Sequence, residues 1–323
     1  MRDMGQAGEA PPLRWPPLMQ RGYSFAQEYE VVLLMDNRER FSMRHGGQAL
    51  SHVGAGREVH AAVLRSRGIT VEEKSLPIGD VVWVARSRSD PLKEFMLDHV
   101  LERKSVADLL NSIQSGQNQR FQRQKWWLAR CGMRRILYLI EGDPDKEAPN
   151  PADNKTCKTA SVVNELDGFR VLRSSGVNDT VAVLARITHA LARAYATGVP
   201  PPASPADDTG GGPLQPDGPL PLYADWAAAM RRMRESRTVK DVWGLMLCAV
   251  PSLGEQTVEA ILAHYPTLPS LWAAYQAVAG SLSGDGAAAA RALLADLALP
   301  SGSSKVGLGK SAKVYDLLFS RGP

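Results

Sequence analysis

The sequence has few of the residues that build disulfide frames and zinc sites. It holds three cysteines, Cys131, Cys157 and Cys248, and six histidines in 323 residues. The cysteines are odd in number, widely spaced and without Cys or His neighbours at ligand spacing, which argues against both kinds of site. No apolar run is long enough to cross a bilayer, and no signal peptide pattern opens the chain. We therefore expect a protein of a reducing compartment, neither secreted nor held in a membrane.

Positive charge is concentrated in one segment, although the net charge of +4 and the isoelectric point near 9.0 are only mildly basic. The run RFQRQKWWLARCGMRR, residues 120–135, has six basic residues and no acidic one. It predicts a helix with a basic face, on which Arg120, Gln124 and Lys125 lie toward DNA phosphates. The alternative is an ordinary solvated face, with the two tryptophans in the core.

Composition divides the chain into four parts. Residues 1–28 contain PPLRWPP and scattered glycines, which favour a disordered leader. Residues 29–198 alternate strand and amphipathic helix patterns, which predicts an α/β domain with a central sheet flanked by helices. Residues 199–222 are rich in Pro, Gly and Asp and are predicted to form a linker. Residues 223–323 carry helix patterns separated by short glycine turns, so we expect a small all-α domain.

Acidic residues lie at the ends of three apolar strand patterns in the α/β domain. Asp36 ends VVLLMD and Glu39 follows three residues later, Asp80 lies in the turn PIGD, and Glu102 ends a third strand. Lys104 comes two residues after Glu102 and therefore points to the same face. Mg²⁺ prefers carboxylate oxygens and activates water for phosphodiester hydrolysis. The pattern predicts Asp80 and Glu102 as direct metal ligands and Asp36 as a ligand either directly or through water.

The remaining residues of this cluster have supporting roles in the hypothesis. Lys104 would orient the attacking water or neutralise charge that develops on phosphorus. Glu39 would hold Lys104, Arg38 or a metal-bound water from outside the ligand shell. Any one of these residues alone is better explained as a solvated turn residue. The hypothesis depends on D-x-x-E, G-D and E-R-K occurring in order, each beside an apolar strand.

These motifs resemble those of a known family. Asp36-Asn37-Arg38-Glu39, Gly79-Asp80 and Glu102-Arg103-Lys104, followed by Asp108-Leu109, are similar to the nuclease motif of the XPF family of branch-cutting endonucleases. The resemblance covers nearly everything after Tyr29 and implies a restriction-endonuclease-like nuclease domain. It also implies Mg²⁺ as the cofactor, with Mn²⁺ able to substitute. The catalytic residues that it implies are Asp36, Glu39, Asp80, Glu102, Arg103 and Lys104.

The resemblance further implies the substrate and the assembly. The expected substrates are branched DNAs, namely 3′ flaps, replication forks and nicked Holliday junctions, cut during recombination and repair. The expected partner is a noncatalytic subunit of the Eme type in a heterodimer, and the expected location is the nucleus. Noncatalytic relatives typically lose the E-R-K signature, which this chain retains. We expect no membrane partner and no nucleotide cofactor.

Two glycine turns open helices in the all-α part. Backbone N–H groups at such helix starts bind phosphates without reading base identity, and the turns look like the family's double helix-hairpin-helix domain. The turn ending at Gly254 has contact with a partner protein as an alternative to DNA contact, because Glu255 follows it. GLGKS does not predict ATP binding, because Ser304 stands where a phosphate loop needs Gly and no buried strand precedes it. The expected DNA-binding residues are Arg38, Arg120, Gln124, Lys125, Gly254, Gly309, Lys310 and Lys313.

Two alternatives to this hypothesis stay open. Within the family, the chain could be an XPF-proper repair nuclease or an archaeal relative, although no helicase-like region is present. From another class, it could be a catalytically inactive DNA-binding scaffold that pairs with an active subunit. The intact acidic residues and Lys104 argue against the scaffold.

Overall fold

The computed structural model describes residues 13–17, 23–38, 44–45, 48–49, 55–114, 118–198, 219–235, 238–250, 252–281, 286–300, 302 and 304–319. The strands are β1 (Tyr29–Asp36), β2 (Arg44–His45), β3 (Gln48–Ala49), β4 (Thr70–Lys74), β5 (Val81–Ser87), β6 (Glu94–Ser105), β7 (Arg135–Glu141) and β8 (Arg170–Ser174). The helices before residue 200 are α1 (Phe25–Glu28), α2 (Ala55–Ser66), α3 (Val106–Gln114), α4 (Asn118–Ala129), α5 (Pro144–Glu147), α6 (Pro151–Leu166) and α7 (Val177–Thr197). The later helices are α8 (Tyr223–Glu235), α9 (Val239–Cys248), α10 (Glu255–His264), α11 (Leu268–Ser281), α12 (Gly286–Ala292) and α13 (Leu308–Phe319).

A mixed six-stranded sheet forms the centre of the α/β part, in the order β4-β1-β5-β6-β7-β8. Strand β1 runs parallel to β4 and antiparallel to β5, and β5 runs antiparallel to β6. The apolar runs of β1, β5 and β6 are buried on nearly every residue, as expected for strands in the middle of a sheet. The predicted α/β class with a central sheet and flanking helices is confirmed.

The chain separates into two compact units, and the first comprises residues 1–103, 131–137 and 174–230. Helix α7 packs on β1 in this unit, because its residues at helical spacing are apolar and buried. Its Thr188 accepts a hydrogen bond of 2.8 Å from the indole N–H of Trp83 on β5, so this buried polar group is satisfied.

The described parts of the predicted leader and linker are packed in this unit, which differs from their predicted disorder. Trp15 makes edge contacts with the rings of Phe25 and Tyr195, and the Tyr195 hydroxyl donates to the Arg14 carbonyl. At the end of the linker, Leu222 forms an isolated antiparallel β-bridge with Phe95 on β6. Proline-rich composition indicated mobile chain, but the aromatic and aliphatic residues within it supply enough apolar surface to dock. The exact domain limits remain predictions, since residues 199–218 lie outside the described part.

The second unit comprises residues 104–130, 138–173 and 231–323. Its centre is α4, which contacts α3, α9 and α10. Four large apolar side chains of α4 are buried, and each contributes roughly 1.5–3 kcal/mol through burial. They are Phe121, Trp126, Trp127 and Leu128. Gly244 on α9 allows the close approach, because an added Cβ there would collide with the Trp126 ring.

Candidate active site

Three acidic residues lie near one another where neighbouring inner strands of the sheet begin or end. Met35 on β1 is paired with Val81 on β5, and Val81 is paired with Leu101 on β6. One residue beyond that row, the backbone of Asp36 bonds to that of Asp80, and Asp80 bonds to Leu101, the residue before Glu102. These bonds bring the three residues to neighbouring backbone positions at the ends of β1 and β5 and on β6. We call Asp36, Asp80 and Glu102 the acidic edge.

Backbone hydrogen bonds fix this row. The Asp36 N–H donates to the Asp80 carbonyl at 2.8 Å, and the Asp80 N–H donates to the Leu101 carbonyl at 2.8 Å. The turn that delivers Asp80 needs glycine at position 79, where φ is +72° and an added Cβ would lie 2.5 Å from Val100 Cγ2. The sequence pattern G-D therefore has a steric reason, which is the close approach of this turn to β6.

The acidic side chains are buried and engaged by neighbours. The Arg38 guanidinium pairs with the Asp36 carboxylate at 3.0 Å, and the Leu76 N–H donates to Asp36 Oδ1 at 3.3 Å. The Arg103 N–H donates to Asp80 Oδ2 at 2.7 Å, which orients that carboxylate. Arg103 thus contributes its backbone to the site, and Glu39 lies outside the described residues.

The donor chemistry of the acidic edge fits a hard divalent cation, but three ligands do not converge. Within the described ranges, no three His, Cys, Asp or Glu side chains lie close enough to share a metal ion. The Arg38 guanidinium pairs with Asp36 instead. Mg²⁺ usually binds through one or two carboxylates and keeps water at its other positions, so Asp80 and Glu102 suffice as direct ligands. Asp36 then fits the water-mediated role among those predicted.

Lys104 lies on β6 two residues after Glu102 and is buried, with 8% of its surface exposed. Its ammonium donates to Gln124 Oε1 on α4 at 2.7 Å. The sequence placed Gln124 among the DNA contacts, whereas the structure places it beside Lys104. Its signal in the sequence was only its position in the basic helix.

Two basic residues of α4, Lys125 and Arg130, face acidic side chains of the protein. Lys125 is 1% exposed and pairs with Asp167, with the rings of Phe121 and Phe169 about 5 Å from its ammonium. Arg130 donates to Glu255 at 2.7 Å. The structure therefore corrects the prediction that Lys125 contacts a DNA phosphate, because Asp167 neutralises its ammonium inside the protein. Arg120 lies in α4, but its side chain is outside the described part.

Arg134 and Arg135 of the same segment surround a buried acid in the first unit. Asp98 interrupts β6 with φ of +59°, and its carboxylate accepts from Arg134 Nε at 2.7 Å and Arg135 at 3.2 Å. Arg14 also pairs with it. Burial acts to raise the pKa of Asp98, but the hydrogen bonds from Arg14 and Arg134 outweigh burial and hold the pKa below its usual value. This cluster was not predicted, since Asp98 reads as one more strand residue.

The first glycine turn, which ends at Gly254, has the Asp167 side chain beside it. At the start of α10, an added Cβ on Gly254 would lie 3.1 Å from Asp167 Oδ1. Gln256 Nε2 donates to the Leu166 carbonyl at 2.6 Å. We call this contact between α10, α4 and the end of α6 the α4–α10 seam; it includes the Lys125–Asp167 and Arg130–Glu255 pairs. A phosphate at Gly254 would have to take the place of the Asp167 carboxylate.

The second glycine turn, at the start of α13, has more open surroundings. Within the described residues, no atom outside the local helix backbone and chain neighbours lies within 4 Å of where a Cβ on Gly309 would be. The Lys310 ammonium donates to Thr257 Oγ1 at 3.0 Å, and the Lys313 ammonium donates to Ser252 Oγ at 2.8 Å. Both acceptors are uncharged hydroxyls, so these partners leave the lysine charges unneutralised. This turn is the better phosphate site of the two.

Comparison with known proteins shows which family model the chain matches. The ERCC4 domain matches residues 35–187. The chain carries an ERCC4 domain. Its match begins one residue before Asp36 and includes the whole acidic edge and Lys104, so the predicted resemblance to XPF-family nucleases is confirmed.

Several relatives that are similar over most of this chain are named MUS81. The chain is 33% identical to crossover junction endonuclease MUS81 of Oryza sativa subsp. japonica over 93% of its length, and 30% identical to that of Arabidopsis thaliana over 84%. It is 30% identical to structure-specific endonuclease subunit MUS81 of Homo sapiens over 78%. The matches span 39%, 37% and 45% of these relatives. XPF from Aeropyrum pernix aligns over 90% of this chain and 99% of its own, with 16% identity and a TM-score of 0.36.

No helix in the described ranges is long and apolar enough to cross a membrane.

Proposed function

We propose that this chain is the nuclease-bearing part of a structure-specific DNA endonuclease that hydrolyses phosphodiesters near branch points. The observation that carries the proposal is the placement of Asp36 at the end of β1, Asp80 just before β5 and Glu102 on β6, joined by backbone hydrogen bonds and followed on β6 by Lys104. Buried carboxylates are costly unless they have a task or a partner, and a divalent cation accounts for a row of them. The MUS81 names of the relatives give the same class of reaction.

We propose Mg²⁺ as the cofactor, with Mn²⁺ as a substitute. Asp80 and Glu102 would hold it, and Asp36 would bind one of its waters. The bound cation supplies polarisation of a phosphoryl oxygen and acidification of water. The protein's own cations then act on the negative charge of the reacting phosphate: Lys104 from β6 and Arg38, which is exposed beside Asp36.

We propose that branched DNA is held through its phosphates, with little reading of sequence. The second glycine turn supplies backbone N–H groups near Gly309 and the charges of Lys310 and Lys313. Such contacts fix the register of a duplex without base specificity. The proposed substrates are 3′ flaps, forks and nicked Holliday junctions, because a duplex that bends at a discontinuity costs less to deform.

We further propose a noncatalytic partner of the Eme type and a nuclear location. Helix α9 exposes three apolar side chains, Val239, Val242 and Met246, spaced to lie along one stripe. A contiguous apolar stripe of this kind on a soluble helix favours a protein contact. A helix of a double helix-hairpin-helix partner would fit that stripe.

The proposal is tested by cleavage of end-labelled DNA with the full chain co-expressed with an Eme-type subunit. We expect Mg²⁺-dependent nicking of a 3′ flap near its branch point, and little cutting of an intact duplex of the same sequence. Ca²⁺ should support binding without cutting, because it tolerates looser coordination and activates water less. Binding of the flap with no cutting in Mg²⁺ or Mn²⁺ would contradict the proposal and favour the inactive scaffold.

A further inference from the structure

Lys104 is held by a neutral acceptor from another element. Its ammonium, on β6, donates to the amide oxygen of Gln124 on α4 at 2.7 Å, well within hydrogen-bond range for a charged donor. A lysine side chain has four rotatable bonds and loses rotamer entropy when it is fixed. A defined acceptor is therefore needed if the ammonium is to stay at one point.

The chemistry of this acceptor differs from that of the other charged pairs around α4. Lys125 faces the carboxylate of Asp167, which neutralises it, and Arg130 faces the carboxyl group of Glu255. An amide oxygen carries only a partial charge and orients the Lys104 ammonium without forming an ion pair with it. Gln124 thus helps to fix the position of the ammonium and adds no charge of its own.

The helix that carries Gln124 cannot slide or rotate freely. The next residue, Lys125, is buried in its pair with Asp167 and lies between two phenylalanine rings. Trp126 follows and is held against Gly244 of α9. These neighbours fix the position of α4, and they therefore also fix the position of the Gln124 amide. A site fixed by packed neighbours keeps its geometry within the narrow range that catalysis needs.

We propose that Gln124 is a positioning residue that holds the Lys104 ammonium for the hydrolytic step, and that it is not a DNA contact. The inference rests on the proposed nuclease function. It assigns Gln124 a different role from the phosphate contact that its place in the basic helix predicts. Displacement of a catalytic group by about 1 Å can cost on the order of 100-fold in rate, so a lost hydrogen bond here should act on the rate rather than on binding.

The test separates rate from binding in the heterodimer with a labelled 3′ flap. Gln124→Met keeps the length and helix propensity of the side chain and removes the acceptor. We expect the single-turnover rate at saturating protein to fall about 10- to 100-fold, with flap affinity within about twofold of wild type. The matched control is Gln122→Met, the same change two residues earlier on α4 and about 200° around the helix, which should alter neither quantity.

A second pair of variants tests the coupling. If Gln124 acts through Lys104, the double variant Lys104→Ala/Gln124→Met should be no slower than Lys104→Ala alone. A double variant whose loss of rate is the product of the two single losses would overturn the inference. Weaker flap binding by Gln124→Met, with an unchanged rate at saturating protein, would also overturn it. These results differ from failure of the proposed function, in which the wild-type heterodimer itself would not cut. Thermal unfolding of each variant shows that it is folded.

Discussion

Lys104 and Lys125 are both buried in the second unit, and their surroundings differ. Lys125 meets a carboxylate, Asp167, and two phenylalanine rings in the α4–α10 seam. Lys104 meets the amide of Gln124 at the end of β6. Burial of a cation costs free energy unless charge or hydrogen bonds compensate it. In the seam a carboxylate compensates the charge of Lys125, as suits a structural pair, whereas the Gln124 amide orients the Lys104 ammonium through a neutral acceptor.

Lys125→Ala should give the largest loss of stability. It leaves the Asp167 carboxylate, 7% exposed, without its cation, and breaking a buried ion pair typically costs about 3–5 kcal/mol. Urea unfolding measures the loss. The double variant Lys125→Met/Asp167→Leu should recover most of it, because an apolar pair needs no charge compensation. A wild-type unfolding midpoint for Lys125→Ala would show that the seam does not depend on this pair.

Lys104→Ala should lower the cleavage rate strongly and the stability less than Lys125→Ala does. We expect cleavage of a 3′ flap to fall about 100- to 1,000-fold, as for loss of a group that stabilises charge in a transition state. Stability should change less than in Lys125→Ala, because the remaining Gln124 amide is neutral. Single-turnover cleavage and urea unfolding on the same preparations make the comparison. Equal losses of stability in the two variants would remove the distinction between the lysines.

The stability of the seam should also depend on pH. Burial raises the pKa of Glu255 from 4.5 to about 8, although Arg130 acts to lower it. The folded state therefore retains this proton where the unfolded state has lost it. The resulting stability is fully present below pH 4.5 and is lost as the pH rises through about 8. Glu255→Gln should reduce the fall in unfolding free energy between about pH 5 and about pH 9. An identical fall in both proteins would contradict this assignment.

The smallest expected effects distinguish the two glycine turns. Gly254→Ala places a Cβ 3.1 Å from Asp167 Oδ1 and should lower stability slightly without changing DNA affinity. Gly309→Ala meets nothing within 4 Å and should leave stability unchanged or raise it by up to about 1 kcal/mol. It should weaken flap binding, because a Cβ hinders close approach of a phosphate. Filter binding and thermal unfolding of both variants check the contrast, and the reverse pattern would assign DNA contact to the first turn.

Local patterns predicted the strands that form the acidic edge. The apolar runs before Asp36 and Glu102 are long enough to specify buried strands, and the motif order placed their ends together. Strand β4 was missed because its sequence TVEEK is mostly polar, as an edge strand can be. The packed part of the leader was missed because composition does not reveal a docking surface.

The exposure of Lys125 and Arg130 in the basic segment was misjudged because their acidic partners are distant in sequence. Arg130 and Glu255 are separated by 125 positions, and Lys125 and Asp167 by 42. A local charge count cannot include acids that only folding brings near. The same reason explains why the pairing of Lys104 with Gln124 was not predicted, although both residues were selected as candidates.

Cleavage and binding by Asp80→Asn and Glu102→Gln test the central claim, that the acidic edge holds the catalytic metal. Each change keeps the shape of the side chain and removes its charge. The account predicts loss of Mg²⁺-dependent flap cleavage by both variants, with flap affinity in Ca²⁺ within about twofold of wild type, because these residues bind metal and not phosphate. Cleavage by either variant at the wild-type rate would contradict it.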